Sequence, residues 1–367
     1  MIPRQNLRIP GPTPIPSDIA PALALPMIDH RGPIFAELIN RCTDGLRKIF
    51  MTKNSLYILT SSGTGALEAS VTNTLSPGDQ VLAVSVGSFG DRFAGIAEAY
   101  GANVTKLDFD WGNAADPGAI RDVLNKKPDI KAVLVTHNET STGVTNDLAM
   151  ISNVVKQEFD KTLLVDAVSS LGCLPLPVDE LGIDLVGTSS QKGFMIPPGL
   201  AFISVSDRAW EENRQSKMPR YYFDLSMAKD YLEKEQTPWT PNLPVLYALD
   251  VALKNMLTEG LKNIFQRHIS MARRVREGIE NLGLSLFVRD PNARADTVTA
   301  VRIPKEVDSS KFMSIMRDDF NIVLGGGQGK LQGKIFRIGH MGYVVEDEIQ
   351  EVFNALEKVL PMVGFRG

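Results

Sequence analysis

Four features of this sequence stand where open α/β sheets bind ligands, just past apolar runs that read as buried strands. Ser61-Ser62-Gly63-Thr64 follows the run at 57–60 and leads into a helical stretch. Phe89 lies in a loop of small residues, Asp166 closes Leu163-Leu164-Val165-Asp166, and Lys192 lies in Thr188-Ser189-Ser190-Gln191-Lys192-Gly193. Each has a plain alternative: a turn, core packing, a helix cap or Mg²⁺ ligand, and a solvated loop lysine. Lys192, however, has uncharged neighbours and precedes the apolar stretch Met195-Ile196-Pro197-Pro198-Gly199. Such surroundings disfavour the ammonium form and make a lysine a candidate nucleophile.

Together the four have the make-up of a pyridoxal phosphate site. The phosphate needs a helix N-terminus with small side chains, and the ring needs an aromatic to stack on. The ring nitrogen needs a carboxylate to stay protonated, and the aldehyde needs a lysine for a Schiff base. Lys192 lies 26 residues after Asp166, room for one helical crossover and a further strand.

The elements that must hold these residues alternate. Apolar runs at 57–60, 80–86, 131–136, 162–165, 184–188 and 200–205 read as strands, and 103–107 as extended. Stretches 65–75, 91–100, 117–124 and 148–159 read as helices. This predicts an α/β fold, its mostly parallel sheet flanked by helices. Residues 245–282 are nearly all helical, with a break at 258–260. Strands near 297–303 and 334–338 and helices near 310–319 and 346–360 then form a smaller α+β unit. The expected division is an arm at 1–20, a large domain at 21–250 and a small C-terminal domain at 251–367.

Composition excludes several classes. A net charge of −4 without a basic block offers no footprint for nucleic acid or an anionic membrane. No apolar run is long enough to span a bilayer. The N-terminus lacks a signal-peptide pattern. Two cysteines, Cys42 and Cys173, and four scattered histidines give neither a disulfide framework nor a metal site. A cytoplasmic location is expected. Gly63-Thr64-Gly65-Ala66-Leu67-Glu68 fails as a dinucleotide fingerprint because Glu68 stands where a small residue is needed. Gly325-Gly326-Gly327-Gln328-Gly329-Lys330 has the wrong spacing for a P-loop and Leu331 in place of Ser or Thr, so it reads as a flexible loop.

The chain resembles the class V aminotransferases of fold type I, in the alanine–glyoxylate and serine–glyoxylate group. The resemblance runs from Pro10-Gly11-Pro12-Thr13 to Arg337-Ile338-Gly339. Its most specific motifs are 62–68, His137-Asn138-Glu139-Thr140-Ser141-Thr142-Gly143, Asp166-Ala167-Val168-Ser169-Ser170-Leu171-Gly172, and Ser189-Ser190-Gln191-Lys192. It implies Lys192 as the Schiff-base lysine, Asp166 as partner of the ring nitrogen, and Ser62, Gly63 and Thr64 as the phosphate turn. It further implies ring contacts from Phe89, Thr140 and Val168, and a phosphate contact from Gln191. Phe89 stands where the family often has Trp. Thr240 matches a threonine that reaches the neighbouring subunit's phosphate, which implies a homodimer with shared active sites.

Arg337 lies in the apolar run Lys334-Ile335-Phe336-Arg337-Ile338-Gly339. A buried arginine must be paired, so a structural salt bridge is one reading. The resemblance makes it the clamp for the substrate α-carboxylate, which suits a planar guanidinium fork. The expected reaction is ping-pong transamination through a Lys192 aldimine, from alanine or serine to glyoxylate or pyruvate. Asp29-His30-Arg31-Gly32-Pro33 resembles the serine–glyoxylate branch. No second arginine is obvious for a dicarboxylic substrate. The rivals are another class V enzyme, a cysteine desulfurase or lyase, and a catalytically degenerate fold type I protein acting as an interaction subunit. A desulfurase needs a mobile cysteine late in the chain and typically a His where Phe89 stands; the sequence has neither.

Overall fold

The computed structural model describes residues 5–365. A short strand, β1 (Asn6–Arg8), and the helix α1 (Pro33–Phe50) come first. The predicted alternation follows: β2 (Ser55–Leu59), α2 (Gly63–Thr74), β3 (Gln80–Ser85), α3 (Ser88–Ala99), β4 (Asn103–Asp108) and β5 (Ala132–Thr136). A small hairpin, β6 (Asn138–Glu139) and β7 (Val144–Thr145), precedes β8 (Thr162–Asp166), β9 (Leu185–Ser189) and β10 (Ala201–Val205). Seven of these form one sheet in the order β2-β10-β9-β8-β5-β3-β4. Only β10 runs antiparallel to its neighbours, so β2 points the same way as the parallel strands.

The central strands β5, β8, β9 and β10 are buried throughout, as covering on both faces requires. Alternation along β3 explains how. Leu82 and Val84 pack into a cluster with residues of α1, whereas Val81 and Ala83 join a cluster with α2 and α3. The predicted break near 258–260 is Gly260, which separates the helices Leu243–Glu259 and Leu261–Asn281. The stretch 148–159 is helical for Leu148–Ser152 and continues as a π-turn at Asn153–Glu158.

The last three strands are β11 (Val298–Arg302), β12 (Ile322–Gly326) and β13 (Ile335–Gly339). With β1 they make a second sheet in the order β1-β12-β13-β11. The start of the chain thus belongs to the later sheet, through parallel pairing of Asn6 with Ile322 and Arg8 with Leu324. The glycine run does not start as a flexible loop: Gly325 and Gly326 are strand residues paired with Arg337 and Phe336. Among the described residues no helix is long and apolar enough to cross a membrane.

Candidate active site

The strand directions bring the C-terminal ends of β2, β3, β8 and β9 to one edge of the large sheet. Ser62, Gly63, Thr64, Phe89, Asp166, Val168, Gln191 and Lys192 line a single cavity there. These eight predicted residues come from four separate segments at strand ends and helix starts, so the fold assembles what the sequence distributes. Thr140 and Arg337 do not line that cavity but meet beside it, where Arg337 Nη1 donates to the Thr140 carbonyl at 2.9 Å. Thr240 stands apart, exposed, its neighbours Trp239 and Pro241 lining a different pocket.

Asp166 is 3% exposed, and among the described residues its carboxylate accepts one hydrogen bond, from the Val168 N–H to Oδ1 at 2.9 Å. Burial pushes its carboxyl up to about 7, opposed by that N–H. A buried carboxylate with spare acceptor capacity calls for a cationic partner. Lys192 is 9% exposed, and burial brings its amine down to about 8 while Asp166 pulls the other way. Lys192 therefore reaches its neutral, nucleophilic form at a pH where an exposed lysine stays charged.

A strap crosses this amine. Lys192 Nζ donates to the Pro10 carbonyl, and Thr13 binds the Gln191 and Lys192 carbonyls through its N–H and hydroxyl. Gly11 between them has φ +102°, and a Cβ there would come within 2.6 Å of Lys192 Nζ and Cδ. Only glycine passes so close in that conformation. At the opposite wall α2 begins at Gly63 with no side chain capping it, so its first-turn N–H groups suit an anion.

Arg337 on β13 is 5% exposed and gives its Nε and Nη2 protons to the Gly326 carbonyl at 2.9 and 2.6 Å. Burial lowers it to about 10, and the nearby Glu139 supports its charge. No carboxylate pairs with it among the described residues, so the salt-bridge reading of its burial does not hold.

Two residues absent from the sequence expectations belong to the site. Arg92 lines the cavity and stacks on Phe89, its guanidinium carbon 4.7 Å from the ring centroid. A second arginine is therefore present after all; its signal is the helical i, i+3 spacing from Phe89. Glu139 sits behind the first turn of α3; it lies in the 137–143 motif, in which the resemblance gives a role to Thr140 alone. Cys42 and Cys173 are both buried.

The cavity fits the cofactor that the sequence motifs imply. It offers an amine for the aldehyde, a carboxylate for the ring nitrogen, an aromatic wall and a helix N-terminus for the phosphate. Comparison with known proteins points the same way. The family model described as aminotransferase class-V matches residues 22–351. An uncharacterized aminotransferase of Methanocaldococcus jannaschii is 44% identical, over 99% of this chain and 94% of its own. A protein named soluble hydrogenase, small subunit, of a Synechococcus sp. is 43% identical over 98% and 94%. The serine–glyoxylate aminotransferase of Methylorubrum extorquens is 36% identical over 92% and 87%. The crystal structure of an alanine–glyoxylate aminotransferase from Nostoc sp. matches with a TM-score of 0.94 at 33% identity, covering 98% of this chain and 96% of that one. This chain belongs to the class V aminotransferases.

Proposed function

We propose that this aminotransferase holds pyridoxal phosphate on Lys192 and moves the amino group of alanine or serine to glyoxylate or pyruvate in two half-reactions. The observation that carries the reading is Lys192 and Asp166 facing one buried cavity, each held away from its usual protonation range. The bound cofactor supplies the electron sink that lets the amino acid's α-proton leave. Lys192 is the nucleophile toward the cofactor aldehyde and, once released, holds and moves that proton at Nζ. Asp166 keeps the ring nitrogen protonated. Phe89 and Val168 would cover the ring, the Ser62, Gly63, Thr64 turn with Gln191 would bind the phosphate, and Thr140, which stands beside the cavity, would be the ring contact on the Arg337 side. Arg337 gives up the Gly326 carbonyl and takes the substrate carboxylate on its fork.

Thr240 acts across an interface in this reading, which makes the working unit a homodimer with two shared sites. The division at 21–250 and 251–367, with the strand of the 1–20 arm joined to the small domain, puts the substrate between the two. Two buried free cysteines suit a reducing cytoplasm. The names of the serine–glyoxylate and alanine–glyoxylate relatives support the substrate pair. The second reading, a catalytically silent partner subunit, draws on the relative named as a hydrogenase subunit. The intact Lys192 and Asp166 favour catalysis.

The test is uptake of pyridoxal phosphate by the purified protein, borohydride reduction and peptide mapping, followed by a donor–acceptor matrix read as keto-acid formation. A covalent adduct on Lys192 is expected, absent in Lys192→Ala, with alanine or serine and glyoxylate or pyruvate giving the highest turnover. No adduct in the wild type would sink the reading. An adduct without transamination of any pair would favour the silent subunit.

A further inference from the structure

Glu139 has no part in the chemistry just described, yet it is the best-satisfied buried carboxylate beside the site. Its exposure is 0%. It accepts from the N–H groups of Phe89 and Gly90, each at 3.0 Å, and from the Ser141 N–H at 3.1 Å and hydroxyl at 2.5 Å. The Phe89 and Gly90 donors belong to the first turn of α3, whose own N-cap residue, Gly87, has no side chain to serve them. A carboxylate is well placed at a helix N-terminus. Gly87 also makes the approach possible, since a Cβ there would lie 2.4 Å from Glu139 Cδ. Ser141 Oγ completes the set by accepting the Ser88 N–H at 2.9 Å. Ser88, Phe89 and Gly90 are thus all fastened by residues 139 and 141.

The hairpin that carries Glu139 reaches the rest of the site as well. Thr140 binds Arg337 through its carbonyl and donates its hydroxyl to Ser169 Oγ at 2.7 Å, three residues past Asp166. Asn138 spans to Ser169 and, in the later part of the chain, to Thr297 at 2.9 Å. One buried turn therefore connects the aromatic wall, the Asp166 loop and the arginine. Within it, Glu139 is the only residue whose side chain takes hold of the Phe89 backbone among the described residues.

We propose that Glu139 is a positioning residue: its carboxylate fixes the first turn of α3 so that the Phe89 ring stands at stacking distance from the bound cofactor, which Glu139 itself does not touch. This rests on the reading that the cavity holds pyridoxal phosphate.

The test is a double-mutant cycle on cofactor affinity. Cofactor-free wild type, Glu139→Gln, Phe89→Ala and the double variant are titrated with pyridoxal phosphate, following the visible circular dichroism band and the dissociation constant. Glu139→Gln is expected to weaken binding about tenfold and shrink the band, whereas adding it to Phe89→Ala costs less than about twofold more. Additive losses, or an unchanged band and affinity in Glu139→Gln, overturn the proposal. If Glu139→Gln does not fold, Ser141→Ala takes its place, with about threefold weakening and the same non-additivity expected; no change there overturns it equally. A wild type that takes up no pyridoxal phosphate overturns the parent reading and this one with it. Normal uptake without coupling overturns this one alone.

Discussion

Two buried arginines stand on the same four-stranded sheet, and the protein treats them differently. Arg8 on β1 lies 3.2 Å from the Glu348 carboxylate; burial lowers it, and the charges of Glu348 and Glu351 oppose that shift. Among the described residues Arg337 on β13 has only backbone carbonyls within hydrogen-bond reach, those of Gly326 and Thr140. Carbonyls hold a guanidinium in place but do not cancel its charge. Arg8 is an internally neutralised cation and belongs to the architecture. Arg337 keeps a charge that an incoming carboxylate can use, and its three carbonyl bonds aim it beforehand.

Replacing each arginine in turn is the direct way to break this contrast. Arg8→Ala removes one partner of a buried ion pair and is expected to cost about 3 kcal/mol of stability. KM for the amino donor should stay within about threefold of wild type. Arg337→Ala is expected to do the reverse, raising KM for amino and keto acids about 100-fold, or roughly 2.7 kcal/mol. Its cofactor affinity and thermal midpoint should change little. Denaturant unfolding and steady-state kinetics on both variants check the pair. If both lose stability alike and neither changes KM, the distinction is wrong and Arg337 is structural.

The contrast also marks what a sequence can and cannot disclose here. Asp166 and Lys192 were legible because Asp166 closes an apolar run and Lys192 lies in the short uncharged segment after another, and the position past a strand end is local information. The same holds for the turn at Ser62, Gly63 and Thr64. Arg337 left two readings open because its partners are remote: Thr140 is 197 positions away, and Gly326 arrives only through β12–β13 pairing. That pairing also turns a glycine-rich stretch into a strand end against its composition. Strand β1 is three residues long, too short for any periodicity, and exists because β12 receives it. Helix α1 is a different case. Phe35, Leu38, Ile39, Cys42, Leu46 and Ile49 recur at helical spacing and all face the core, a signal present in the sequence although the expected elements did not include this helix.

Asp166 and Lys192 form a second pair of unequal buried charges, and pH separates them. In the cofactor-free protein Asp166 is raised to about 7 from the usual carboxylate range. Between about pH 4 and 7 the folded state then holds more protons than the unfolded chain, so stability falls as pH rises through that window. Lys192 is lowered to about 8, which makes stability rise from about pH 8 toward 10. Asp166→Asn is expected to remove the first slope and leave the cofactor-free protein about 2 kcal/mol more stable at pH 8 than the wild type. Pyridoxal phosphate should bind more weakly to it. Urea unfolding at pH 5 and pH 8 checks this, and an equal fall in both proteins would show that other groups carry the slope.

The smallest effect concerns what keeps the Gly326 carbonyl against Arg337. The chain beyond Gly326 turns through Gly329, where a Cβ would lie 3.3 Å from the Trp111 ring, and Lys330 Nζ lies 4.4 Å above that ring. Trp111 follows β4, so this contact ties the β12 end of one sheet to the other sheet beside the site. A cation–π contact at such a position is worth about 0.5–1 kcal/mol. Lys330→Ala should therefore loosen the glycine segment and change KM for the amino acid by about two- to fivefold. Cofactor affinity should not move, because Lys330 acts on the arginine side of the site and not on the Phe89 side. A change in cofactor affinity of the same size as the change in KM would show that the two sides are coupled, and would argue against treating Arg337 and its carbonyl frame as a separate unit.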